Sequence, residues 1–134
     1  MNRPPRISIK LCVACPEGAV SRLRACTGLP FEAQSQLREI RYEGKPVFQV
    51  ELFAGAAWDL DECLQKALPR IESCSVEWES FLREWGVSAW LSIWCEFESS
   101  APSLVLSKDL MRKLVELDLW LDVDLNCFCD ESEC

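Results

Sequence analysis

Histidine is absent from all 134 residues. That removes the commonest general base and the commonest neutral metal ligand at physiological pH. A glycine-rich phosphate loop, a GxSxG elbow and an HExxH pair are missing too, so the usual hydrolase and phosphotransfer mechanisms lack their parts. No run approaches the roughly 18 consecutive apolar residues of a membrane span, and the opening MNRPPRISIK has no apolar signal core. A cytoplasmic protein is the expectation. Basic residues stop at Lys113, whereas Glu116, Asp118, Asp122, Asp124, Asp130, Glu131 and Glu133 follow it. Such a field repels phosphate backbones and anionic lipid and attracts basic protein surfaces.

Length and an apolar fraction near one half predict a single globular domain over residues 1–134, with Cys127 to Cys134 as a frayed acidic tail. Residues 1–46 carry 8 basic and 4 acidic side chains, and residues 47–134 carry 6 and 18, so the net charge of −8 is concentrated in the later part. Nine cysteines in a chain without a secretory signal read as reduced thiols rather than a disulfide framework. Cys12, Cys26, Cys63, Cys74 and Cys95 fall inside regular elements, where a free cysteine behaves as a small buried hydrophobe.

Strict alternation from Arg6 to Ala14 predicts a half-buried strand with Ile7, Ile9, Leu11 and Val13 inward. A helix follows to Gly28 and Pro30. Val47 to Phe53 alternates again, with Gln36 to Tyr42 as its hairpin partner across Glu43-Gly44-Lys45-Pro46. Asp59 caps an apolar stripe through Ile71, Ser73 or Ser75 caps a second one ending at Gly86, and Pro69 between them predicts two helices or one kinked helix. Ser88 to Glu98 is the most regular strand, and Ser103 to Leu106 can pair with it. Ser107 caps a helix carrying Leu110, Leu114 and Leu117, and a closing strand puts Leu119, Leu121, Val123 and Leu125 inward. The expected class is α+β: an antiparallel or mixed sheet with helices on one face and a ferredoxin-like arrangement of strands.

Cys12-Val-Ala-Cys15 and Cys127-Phe-Cys129 offer four thiolates to zinc, but antiparallel first and last strands would carry the two pairs to opposite edges. A redox role for the first pair is disfavoured because its first cysteine lies within a strand, not at a helix start. No metal site, cofactor or catalytic residue is assigned. Glu96 with Glu98, and Asp122 with Asp124, stand two apart and face one way; a solvated sheet surface is the ordinary reading, and a cation site or acid–base pair the rival. Trp90, Trp94 and Trp120 fall on that same outward side. Three exposed indoles on a strand face are costly in solubility, so something should cover them: the helices after Asp59, the 31–46 loop, or a partner. Aromatic anchors ringed by acids have the composition of a hot spot facing a basic protein, whereas sheets that stack single-stranded nucleic acid are basic.

The stretches Ile7–Leu11, Gly28-Leu29-Pro30, Trp58 with Leu60-Asp61-Glu62-Cys63-Leu64, and Leu91–Asn126 resemble the uncharacterised bacterial family described as domain of unknown function 4279. Its closing pattern of a short strand, a leucine-spaced helix and an acidic strand matches Ser103 to Leu125, whereas residues 31–57 depart most. The resemblance implies a small stand-alone bacterial protein, of a kind suspected beside interbacterial toxin genes of being an immunity protein, and it supplies no catalytic residue. The expectation is a non-enzymatic immunity protein that covers a toxin's active site, with Trp90, Trp94, Trp120, Glu96, Glu98, Asp122 and Asp124 as partner-binding residues. A homodimeric or small-ligand-sensing module is the alternative.

Overall fold

The computed structural model describes residues 3–33 and 41–128. One mixed sheet contains β1 (Arg6–Ala14), β2 (Glu32–Ala33), β4 (Lys45–Ala56), β5 (Ser88–Phe97) and β6 (Trp120–Cys127) in the order β2-β4-β1-β5-β6, and β3 (Arg41–Tyr42) pairs with the start of β4. β1 runs antiparallel to both β4 and β5, whereas β6 is parallel to β5. The helices are α1 (Val20–Thr27), α2 (Leu60–Ala67), α3 (Pro69–Glu72), α4 (Ser75–Trp85) and α5 (Lys108–Glu116). The chain is an α+β domain with a mixed sheet.

Period-two alternation decides the two faces. Ile7, Ile9, Leu11 and Val13 of β1 join Ala89, Leu91, Ile93 and Cys95 of β5 in one apolar cluster, to which all five helices contribute: Leu23, Leu64, Ile71, Trp78, Phe81 and Leu110 are each 1% exposed or less. A bulge opposite Ile9 and Lys10 inserts Leu52 into β4, so that Leu52 stays buried and Phe53 also packs against this cluster. The indole of Trp78 donates to the Leu117 carbonyl at 2.9 Å, pinning α4 to the end of α5 from inside the core.

Parallel strands need a crossover, and α5 supplies it between β5 and β6. Its N-terminus is fixed twice: Ser107 Oγ accepts from the Leu110 amide at 3.2 Å, and the Ser107 amide donates to Asp61 Oδ2 of α2 at 2.7 Å. Its C-terminus closes as a Schellman turn, with Leu119 N–H donating to Leu114 O and Asp118 N–H to Val115 O. Asp118 carries this turn at φ 55°, a left-handed conformation that glycine adopts without a steric penalty.

Several details differ from the pattern-based expectation. The first and last strands are not neighbours, because β5 lies between them; the sheet therefore does not have the ferredoxin-like order. The hairpin turns on Glu43-Gly44 alone, both at positive φ (52° and 78°) as a two-residue type I′ turn requires, so β4 begins at Lys45 and Pro46 belongs to the strand. Residues 36–40 of the expected partner strand lie outside the described residues. Ser103 to Leu106 forms no strand with β5; Ser103 makes an isolated parallel bridge with Asp59 instead. Pro69 takes the first position of α3, where its missing N–H costs nothing, and Cys74 rather than Ser73 or Ser75 occupies the N-cap of α4, without a side-chain cap bond.

Replacing Asp118 by glycine removes both a left-handed side chain and an acid at a helix C-terminus. Net of the greater freedom of glycine in the unfolded chain, Asp118→Gly is expected to stabilise by about 0.5–1 kcal/mol, read as a higher urea midpoint at unchanged slope. A lower midpoint would show that the Asp118 side chain holds the turn.

Candidate functional site: the helix-free face of the sheet

The helices gather on one face, and the opposite face carries the alternate residues in cross-strand rows. Register places Gln49, Cys12, Trp90 and Trp120 in one row, and Glu51, Lys10, Ser92 and Asp122 in the next. Ser8, Trp94 and Asp124 make a third, and Arg6, Glu96 and Asn126 a fourth. Neighbouring rows are separated by two residues of strand, so the Trp90–Trp120 row stands about 13 Å from the Trp94–Asp124 row.

The first row is partly roofed. The β3–β4 hairpin brings Tyr42 over the tryptophans, with ring centroids 5.1 Å from Trp90 and 5.7 Å from Trp120, and Trp90 and Trp120 stack at 5.0 Å with 17° between their planes. Trp90 is thereby buried, and with Cys12, Ala14 and Val47 it makes a small second core. Trp120 keeps 41% of its surface exposed and Trp94 keeps 43%. The Trp94 indole donates to Glu96 Oε1 at 2.9 Å, which holds the ring and the carboxylate in one arrangement. Between the two indole rows the floor is low, formed by Ser92 with Asp122 beside it. The result is a trough walled by Trp120 and Trp94 and lined on the β6 side by Asp122 and Asp124, both exposed.

Of the seven residues expected to bind a partner, the fold unites five on accessible surface: Trp94, Trp120, Glu96, Asp122 and Asp124. Trp90 lies on the same face but underneath Tyr42. Glu98 lies just past the end of β5 at Phe97, where it lines a hollow with Arg6 and Glu96 and meets Arg3 at 3.6 Å in an exposed ion pair. Tyr42 was missed as a member of the cluster; the only signal for it was a lone aromatic beside a hairpin turn in the loop expected as cover. Lys10 and Arg6 also face this side, from β1, and separate Glu51 of β4 from the acids of β5 and β6.

The thiols are poorly disposed for chemistry. Burial pushes Cys12 up to about 12, against a smaller opposing pull from Lys10, and pushes Cys15 up to about 11. Cys63 and Cys95 are raised by the same cause. Cys12 and Cys15 lie toward the end of the sheet marked by Ala14 and Ser88, whereas Cys127 lies beside Phe97 at the opposite end, so the two cysteine pairs cannot share a zinc ion; Cys129 lies outside the described residues. Among the described residues no cluster of three or more Cys, Asp or Glu side chains is placed to hold a metal ion, and no helix is long and apolar enough to cross a membrane.

Fold and face together define an α+β domain with a one-sided helix layer and an aromatic–acidic trough on its uncovered sheet surface. No family model matches the chain, and no curated protein or solved structure is significantly similar to it.

A thiol raised in the fold is neutral there and ionises more readily once unfolded, so its contribution is fully present below the unfolded value of 9.0 and is lost as pH rises toward 11–12. The urea midpoint should hold steady to about pH 8 and fall above about pH 9. Cys12→Ala should flatten part of that fall, and an equal fall in the variant would remove Cys12 as its source. At about pH 8 an aromatic disulfide reagent should label exposed Cys127 quickly, and Cys12, Cys15, Cys63 and Cys95 only at the rate of unfolding.

Proposed function

We propose that this chain is a non-catalytic binding protein that neutralises a bacterial toxin or effector domain in the cytoplasm by covering its active site. The observation that carries this reading is the trough between Trp120 and Trp94, edged by Asp122, Asp124 and Glu96 on strands that bring no basic residue to that face. Large rigid aromatic surface next to exposed carboxylates suits a partner whose surface presents arginine or lysine. A guanidinium entering the trough would lie against an indole face and reach Asp122, combining a cation–π contact with an ion pair that becomes desolvated on docking. Toxins that act on nucleic acids or nucleotides present such basic surfaces, and an acidic inhibitor can occupy the place of their anionic substrate.

Catalysis is the weaker reading. With no histidine in the chain and the Cys12 thiol raised by burial, this face lacks the commonest general base and a ready thiolate nucleophile.

The partner is best obtained by expressing the tagged chain beside its neighbouring genes and identifying what is retained stoichiometrically. Against that partner, Trp94→Ala combined with Asp122→Ala should weaken binding by at least about 2 kcal/mol, roughly 30-fold, the scale of a hot-spot truncation. Both side chains are exposed, so the urea midpoint should move little. Unchanged affinity in the double variant would remove this face from the binding surface.

A further inference from the structure

The binding reading says which face meets the partner; the sheet edge beside that face says how. β6 is hydrogen-bonded to β5 along one side, and among the described residues no strand pairs with its other side. Its register with β5 runs uninterrupted over eight residue pairs, without a bulge, and it contains neither proline nor lysine. Proteins commonly blunt an exposed strand edge with just such devices, because its outward N–H and C=O groups template the addition of another strand.

The two faces of β6 differ in chemistry. Asp122 and Asp124 project beside Trp120 on the trough side, while Val123 and Leu125 project on the helix side and remain 36% and 49% exposed, because the helix layer stops short of the edge. We infer that β6 is an acceptor edge for one extended segment of the partner, with lysine or arginine alternating with β-branched or aliphatic residues. Laid along β6, such a segment would set its basic side chains opposite Asp122 and Asp124 and its apolar side chains on Val123 and Leu125, while its backbone extends the sheet.

Charge selects this occupant over a second copy of the chain. Antiparallel pairing of two β6 strands that keeps both trough faces on one side sets acid against acid in every register centred between Asp122 and Asp124. Centred on Val123 it places Asp122 opposite the other copy's Asp124 twice over, and centred on Asp122 or Asp124 it places that carboxylate opposite itself. Like charges directly opposite are destabilising, and no basic residue of β6 relieves them. The same carboxylates that guard the edge against self-association favour a basic strand.

This inference rests on the binding reading, and a probe peptide separates the two. The isotope-labelled chain is titrated with a short capped peptide of alternating lysine and valine, and with a control of the same composition in which the lysines and valines are grouped. Strand addition predicts that every second backbone amide between residues 120 and 126 exchanges about tenfold more slowly when the alternating peptide stands at roughly nine times its dissociation constant, and far less with the grouped control. Asp122→Lys with Asp124→Lys should transfer that protection to a peptide of alternating glutamate and valine. If both lysine peptides shift the Trp94 and Trp120 indole signals equally while the β6 amides exchange as before, strand addition is overturned and the trough still binds basic groups. If neither amides nor indoles respond, both readings fall. Protection of the alternate β6 amides that grows with protein concentration and needs no peptide would overturn the choice of partner in favour of self-pairing.

Discussion

The parallel pairing of β5 with β6 is the constraint on which the rest depends. It sets Trp120 beside Trp90, Asp122 beside Ser92 and Asp124 beside Trp94, so that β6 supplies two carboxylates and one exposed indole, and β5 the second exposed indole. A parallel neighbour demands a crossover, and the crossover demands a helix anchored at both ends. Ser107 and Asp61 fix where α5 begins, the Asp118 turn fixes where it stops, and Trp78 ties its last carbonyl to α4. These anchors lie outside the trough, so the position of β6 is held from residues that take no part in its surface. The short amide contact to Asp61 also holds that carboxyl below its ordinary range, so the tie is present at neutral pH and weakens in acid as the carboxyl protonates.

The distribution of cover follows from the one-sided helix layer. Leucine, isoleucine and cysteine side chains on the inner face find five helices, whereas among the described residues the opposite face has only the short hairpin carrying Tyr42. That hairpin shelters Trp90 and leaves Trp94, four residues along the strand, in the open. Trp94 is held by Glu96 and keeps 43% of its surface exposed, and under the proposed function a partner would cover it, with the acidity around it restricting what that partner can be.

Much of this was legible in the sequence. Alternation in β1, β5 and β6 assigned every named residue to its correct face, because period two is a direct consequence of the pleat. Alternation cannot say which strands are neighbours, and the expected adjacency of the first and last strands failed for that reason. Nor can it say how far the helix layer reaches: Val123 and Leu125 sit on the inner side as expected but are exposed, since β6 is an edge. The turn at Glu43-Gly44 was placed two residues too long because Pro46 resembles turn chemistry, although a strand accepts a proline near its start. Cys15 gave no sign of burial, since it lies just past the alternating segment and is covered by its fold context alone. Glu98 continued the alternation of β5 in sequence, but the strand ends at Phe97 and Glu98 pairs with Arg3 beyond it.

The most direct test of the central claim is hydrogen exchange by mass spectrometry on the complex formed with the basic protein retained when the chain is co-expressed with its neighbouring genes. Binding through the uncovered face predicts that protection on complex formation concentrates in peptides spanning residues 90–98 and 120–127, with α2 to α4 unchanged. Protection confined to the helix layer, with β5 and β6 exchanging as in the free protein, would contradict it.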